Sequence, residues 1–570
     1  MRLLLKGGTV INVFTGEMSV EDVLVEDSRI IGVGKYDAQD GDTVRDAAGK
    51  YICPGFIDGH IHIESTMLTP MEFARVSVPH GTTAVVADPH EIANVCGNTG
   101  IGYMLEASRD IPLTVYLMLP SCVPATQFDE SGARLTAKDL EPFYSDPRVL
   151  GLGEMMNYPG VLAGDPEIRK KIESAVAHGK IVNGHAPLLS GNALDAYVAA
   201  GIRDDHECSS AEEAKERIRK GQRVMIRQGT AARNLEALLP LFEEPWAHRC
   251  LLVTDDKHPA DLLQRGHIDD IIRQAARAGK DPVIGIRMAT LWAAECFGLK
   301  DLGAVAPGYE ADLLVLDDLE SVSVCDVYRR GIRVVESGQM LPCKAPVIRR
   351  DFKKAIRNSF YMEKLSPKDF LIDAQGVKKS RVIRLVPHEL LTDEWITDVD
   401  YNSQNGIDTG RDILKIAVVE RHLNTGHKGI GLISGTGLKS GAIASSVSHD
   451  SHNLIIIGTN EEDMAFAGNC IREMGGGSIV VQDGKVIEQM PLPLAGLMTD
   501  VPAAEIAAQN ERVRESVHTL GVSEELEPFM TMAFVSLPVI PHIKITTKGL
   551  VDVDHQELVP LLIDDFKKVQ

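Results

Sequence analysis

What this chain of 570 residues lacks narrows its class before any motif is read. Its nine cysteines, Cys53, Cys96, Cys122, Cys208, Cys250, Cys296, Cys325, Cys343 and Cys470, include no Cys-x-x-Cys pair, which speaks against a thiolate zinc site and a disulfide framework. No run of about 18 apolar residues occurs, so no membrane span is expected. Positive charge is in deficit. Against 81 Asp and Glu stand 59 Lys and Arg, a net charge of −22, and nucleic acid is not an expected partner. The apolar run in Met1-Arg2-Leu3-Leu4-Leu5 is too short for a signal peptide, and a reducing cytoplasm is the expected location. There is no low-complexity tract and no short repeat. What is there, 44% hydrophobic and 25% charged residues, is the composition of an ordinary soluble protein. The length suggests roughly two to four domains.

Three styles of sequence follow one another. Residues 1–52 alternate short strand-like runs (Leu3–Leu5, Thr9–Val13, Val20–Val25, Arg29–Val33) with Gly and Asp turns, the pattern of antiparallel strands. In residues 53–302 the rhythm changes. Apolar runs at Ile57–Ile63, Thr82–Ala87, Leu113–Leu119, Val149–Gly153, Lys180–Gly184, Gly201–Asp205, Gln222–Ile226 and Cys250–Thr254 alternate with helical patterns such as Asp165–His178, Ser190–Ala200 and Ser209–Arg219. Eight such units predict a (β/α)8 barrel with its site at the C-terminal ends of the strands. A doubly wound open sheet is the structural alternative, although no Gly-x-Gly-x-x-Gly follows a strand. Residues 303–345 return to the β style and are expected to pair with residues 1–52 as one small β-sandwich domain, with the barrel inserted between its halves. Residues 346–379 read as a linker with short helices. Residues 380–570 read as a C-terminal α/β domain, with strands at Ile413–Val419, Ile430–Ser434, Asn453–Gly458 and Ser478–Val481 and a helix over Asn460–Met474. Gly475-Gly476-Gly477 is expected to stop that helix.

The residues that close the apolar runs carry the chemistry. In Phe56-Ile57-Asp58-Gly59-His60-Ile61-His62 side chains alternate between faces, so His60 and His62 point the same way, about 6.5–7 Å apart. Two imidazoles on one strand end can hold a metal ion. The other reading is a buried strand whose histidines bond to neighbours. Further run ends are Asp88-Pro89-His90-Glu91, Glu154, His185, His206 and Thr254-Asp255-Asp256. In a barrel all of these converge on one mouth, which makes a coordination shell without any local motif.

These residues resemble a known family. Pro54-Gly55-Phe56-Ile57-Asp58-Gly59-His60-Ile61-His62 is similar to the strand-one signature of the amidohydrolase superfamily, and Gly308-x-x-Ala311-Asp312-Leu313 resembles its returning β strand. The match is closer to the adenine deaminases of bacterial and archaeal type. It rests on His60-Ile61-His62-Ile63-Glu64-Ser65, Ala87-Asp88-Pro89-His90-Glu91-Ile92-Ala93-Asn94, Asn183-Gly184-His185-Ala186-Pro187, Asp205-His206-Glu207, Thr254-Asp255-Asp256-Lys257-His258-Pro259 and Ser448-His449-Asp450-Ser451-His452-Asn453, and it spans essentially the whole chain.

The resemblance implies hydrolytic deamination of adenine to hypoxanthine and ammonia at a binuclear centre. Many amidohydrolases bridge two metals with a carbamylated lysine on strand four. Here that run ends in Glu154, the expected bridging carboxylate. His60, His62, Glu154 and Asp255 are expected to bind the more buried ion, and Glu154, His185 and His206 the second. A hydroxide between the ions attacks C6 of adenine, and Asp255 takes its proton and passes it to the departing amine. The N/O ligand set suits Zn, Fe or Mn, and the resemblance leans to iron or manganese. A strand would turn Asp256 to the face opposite Asp255. Glu64, His90 and Glu91 are expected either to transfer protons and contact the purine or to orient the ligand histidines. Glu207 is expected to support His206. The resemblance also implies a homo-oligomer. The Ser448–Asn453 cluster lacks a nucleophile elbow and is not a catalytic triad. His62-Ile63-Glu64 superficially fits the His-x-Glu of the zinc nucleoside deaminases, but Pro-Cys-x-x-Cys is missing. The alternatives are a dihydroorotase- or hydantoinase-like hydrolase of cyclic amides, a metal-free scaffold of the same fold, and peroxide chemistry at a di-iron centre.

Overall fold

The computed structural model describes residues 2–230, 232–386, 390–524 and 526–563. It divides into two compact units. One comprises Met1–Pro89, Met104–Ser121 and Thr136–Ile348; the other comprises His90–Tyr103, Cys122–Leu135 and Arg349–Gln570. Among the described residues no helix is long and apolar enough to cross a membrane.

In the first unit, both ends of the chain segment build one nine-stranded sheet. Arg2–Ile11 pairs antiparallel with Met18–Glu26 and parallel with Tyr51–Pro54, and the returning strand Leu313–Asp318 closes antiparallel onto Tyr51–Pro54. Leu3, Leu5, Val10, Val23, Val25, Ile52, Leu313 and Val315 form its core. The two expected strands Leu3–Leu5 and Thr9–Val13 are in fact one. The register slips between Leu5 and Gly8, and Gly7 takes φ 68°, so Gly7-Gly8 makes a bulge where a turn was expected. The Asp22 carboxylate pins the bulge by accepting from Gly7 N at 2.8 Å.

Between the halves of that sheet stand eight parallel strands: β1 (Phe56–Ile61), β2 (Thr82–Ala87), β3 (Thr114–Leu119), β4 (Val149–Met155), β5 (Ile181–Gly184), β6 (Asp204–Asp205), β7 (Arg223–Arg227) and β8 (Cys250–Val253). β1 to β5 pair in order, and so do β6 to β8. Arg203 N donates to Val182 O at 3.3 Å across the β5–β6 junction. Closure comes just past the end of β8, where Ile61 and Asp255 form a parallel bridge and Asp255 N donates to His60 O at 2.9 Å. The open-sheet alternative therefore falls. Ile57, Ala84, Val86, Met118, Leu251 and Val253 pack with Ala293 and Phe297 in a buried cluster. At Gly59 a Cβ would press on the Leu251 terminal methyl, so a side chain there would require Leu251 to move.

The second unit is built on an eight-stranded sheet. Leu414–Val419 runs antiparallel to Lys428–Ser434 on one side and to Leu454–Gly458 on the other. The helix Glu461–Met474 starts at Asn460, whose side chain accepts from Asp463 N at 2.7 Å, and stops at Gly475 with φ 76°. Its Met464, Ala467 and Ile471 pack against Ala442, Ile456 and Ile479. The helix His90–Ala107 breaks its regular geometry at Gly97.

Candidate metal centre

Strand ends place the site residues, and a network behind them fixes their orientation. Asp58 on β1 is fully buried. It accepts from His60 N and Thr254 N, both at 3.2 Å, and from the Thr254 hydroxyl at 2.5 Å, with His267 Nε2 3.1 Å away. This ties the end of β1 to the end of β8. Asp88, past β2, accepts from Glu154 N at 3.0 Å. A side chain at Gly153 would displace the Asp88 carboxylate, since a Cβ there would overlap it.

The Asp88 carbonyl lies 2.9 Å from His62 Nδ1, so Nδ1 is the donor to it and Nε2 is the nitrogen turned to the site. His62 Nε2 faces Glu154 Oε1 and Asp255 Oδ1, each at 3.1 Å. His60 Nε2 lies 3.5 Å from Asp255 Oδ1 and 3.9 Å from Glu154 Oε1. The other oxygen of Glu154, Oε2, turns the opposite way, to His185 Nδ1 at 2.6 Å and His206 Nε2 at 3.3 Å. One carboxylate thus faces two donor sets. The His60 and His206 rings stack with centroids 4.3 Å apart.

All six residues expected as ligands come together, and Glu154 is buried. The separation of Asp255 from Asp256 has a different cause from the one expected. Both lie past β8, and Asp255 takes φ 59°, so a left-handed turn aims its carboxylate, not strand alternation. Asp256 accepts from the Ser65 hydroxyl at 2.5 Å. Glu64 is buried in the short turn Glu64–Thr66 that follows His62. His90 and Glu91 belong to the second unit, on the first turn of the helix His90–Ala107. There His449 Nδ1 lies 3.6 Å from Glu91 Oε1, and His90 Nε2 lies 3.8 Å from Asp450 Oδ1.

One buried residue was missed. Arg227 ends β7, and because arginine is not a metal ligand this strand end carries no coordination signal in the sequence. Its Nη1 donates to Asp255 Oδ2 at 2.8 Å and to Glu207 Oε1 at 2.5 Å, and its Nη2 donates to Glu207 Oε2 at 3.0 Å. A cation at the end of a buried strand was the available signal.

Burial opposes ionisation of Glu154 and Asp255, yet the facing histidines hold both carboxyls well below the usual range. Burial likewise opposes protonation of His62 and His206, but the carboxylates lift both well above an ordinary imidazole. His60 is pushed down, chiefly by burial. Among the described residues His60 Nε2 has no hydrogen-bond partner, although it is buried. A shared cation satisfies all of this at once. Ligands about 2.1 Å from one ion lie about 3.4 Å from each other in a tetrahedral shell; His62 Nε2, His206 Nε2 and His60 Nε2 lie 3.1, 3.3 and 3.5 Å from their nearest carboxylate oxygens, while His185 Nδ1 is drawn in to hydrogen-bond distance of Glu154 at 2.6 Å. The donors are imidazole and carboxylate without thiolate, which fits a divalent first-row metal.

A closed parallel barrel with imidazoles and carboxylates converging at its strand ends is the architecture of a metal-dependent hydrolase. Residues 51–341 match the amidohydrolase family, and residues 389–557 match the adenine deaminase C-terminal domain. The chain is 49% identical to "Adenine deaminase 2" of Carboxydothermus hydrogenoformans, covering 98% of this chain and 96% of that one. It is 46% identical to an adenine deaminase of Desulfatibacillum aliphaticivorans over 97% of this chain and 95% of that one. With an adenine deaminase of Geobacillus kaustophilus it shares 43% identity over 98% and 96% of the two chains. The chain belongs to the adenine deaminase family of amidohydrolases.

Proposed function

We propose that this protein hydrolyses adenine to hypoxanthine and ammonia at a pair of divalent ions, manganese or iron by preference, with zinc possible as a substitute. The reading rests on Glu154, whose two oxygens face different donor sets, in a chain whose relatives carry the name adenine deaminase over nearly their full length. His60, His62, Asp255 and Glu154 would hold one ion, and Glu154, His185 and His206 the other. When bound, such ions supply Lewis acidity and bring the pKa of water toward neutrality.

The rest is the work of the chain. Replacing the amine at C6 by oxygen moves both protons of water: one goes to ring nitrogen N1 and one leaves with ammonia. Asp255 takes the proton bound for the amine and returns it to the leaving nitrogen. Glu64 is proposed either for delivery to N1 and contact with the purine edge or for orienting the ligand histidines. The Asp58–Thr254–His267 network and the Asp88 carbonyl hold the ligand histidines in place. A cytoplasmic homo-oligomer is proposed as the working form.

The test is ammonia release from adenine by protein loaded with Fe(II), Mn(II) or Zn(II), beside Glu154→Gln. Wild-type turnover with at least about a hundredfold loss in the variant supports the reading. No turnover with any metal would overturn the substrate assignment.

A further inference from the structure

The donor count of the two metal positions is unequal. The first has four facing donors, from His60, His62, Asp255 and Glu154. The second has three, from Glu154, His185 and His206. A fourth is already in place. Glu207 Oε1 lies 3.3 Å from His206 Nε2 and 3.5 Å from His185 Nδ1, the same spacing at which the accepted donors of the site face one another. These three residues form a donor group of their own, with His206 buried and the others half-buried. The backbone directs Glu207 inward. Its N–H donates to Asp205 Oδ1 at 2.8 Å, and Asp205 is itself held by the fully buried Arg217 at 2.9 Å.

Arg227 explains how a third carboxylate is tolerated beside the other two. Its guanidinium takes both oxygens of Glu207 in a fork and spends the same Nη1 on Asp255 Oδ2. It leaves Asp255 Oδ1 facing His60 and His62, and it leaves Glu207 Oε1, which can accept a second partner, facing His185 and His206.

From this geometry we propose that Glu207 is the terminal carboxylate ligand of the second metal position, and that Arg227 is a positioning residue that ties this ligand to Asp255 of the first. The proposal rests on the binuclear reading above. Glu207→Gln keeps the size and an oxygen for Arg227 but removes the charge. Arg227→Lys keeps the charge but loses the fork.

The experiment counts metal. Apoprotein is loaded with Mn(II) or Co(II), desalted and analysed by elemental mass spectrometry, with the Co(II) visible spectrum recorded during titration. Wild type is expected to retain two equivalents. Glu207→Gln is expected to retain one, with the second binding at least about tenfold more weakly, and to lose the spectral contribution of the second equivalent. Arg227→Lys is expected to retain two but to lower kcat with little change in KM, and methylguanidine is expected to restore part of the turnover of Arg227→Ala. Two tightly held equivalents with an unchanged spectrum in Glu207→Gln would overturn the ligand assignment. An Arg227→Lys variant with wild-type kcat would overturn the positioning role. A wild type that retains only one equivalent would instead remove the binuclear reading on which the proposal stands.

Discussion

Gly153 and Lys544 carry single-residue consequences that need no change of fold. At Gly153, alanine would push into the Asp88 carboxylate that receives Glu154 N. Gly153→Ala is expected to weaken metal binding by about 10–100-fold, as loss of an outer partner does, read by chelator competition. Lys544 is fully buried, donates among the described residues to Leu390 O at 2.9 Å, and is lowered by burial to about 7. Between pH 7 and its unfolded value of 10.5 the unfolded chain binds a proton that the folded one does not. Stability therefore rises with pH across that window, and the cost of burying the ammonium is greatest below pH 7. Lys544→Met is expected to raise Tm at pH 6 and to raise it less at pH 10, in matched thermal melts. A gain that does not shrink with pH would refute this.

Elements divide by how local their causes are. The barrel strands were legible because eight apolar runs alternate with helical patterns, and the ligands were legible because topology sends every strand end to one mouth. Gly7-Gly8 was not. A glycine pair reads as a turn, and only the pairing with Met18–Glu26 reveals a bulge inside one long strand. The left-handed turn at Asp255 was equally hidden, since nothing local forbids the strand from running on. The packing of the elements makes its own demand. Leu251 is fully buried in the cluster with Ile57 and Phe297. Leu251→Ala is expected to cost about 2–5 kcal/mol through lost burial and a residual cavity, measured as a lower denaturant midpoint for the barrel transition.

At the scale of the whole molecule, the charged network of the site was the least legible part. Arg227, Glu207 and Asp255 come from three different strand ends, and no spacing relates them. His449 and His452 were visible as a motif, but their neighbour Glu91 lies far away in the sequence. The partition of the chain was hidden for the same reason: segments 90–103 and 122–135 lie between barrel strands in sequence yet cluster with residues 349–570. Bound metal stabilises only the state that assembles its ligands. Chelation is therefore expected to lower the melting temperature of the barrel transition, with recovery on adding Mn(II), followed by calorimetry.

The bridge between Ile61 and Asp255 sets an order of events in time. The donors proposed for one ion sit at the end of the first strand, on the fourth and just beyond the last, so a chain emerging from the ribosome has an incomplete site until Asp255, short of the midpoint of its 570 residues, is made. Only when the segment bearing Asp255 arrives can the ring shut and a cation be held by both ends. Long-range closure of this kind is slow, and the ion would act on it as a latch: the supply of metal during synthesis would then decide how many finished chains are locked shut and how many remain open to proteolysis.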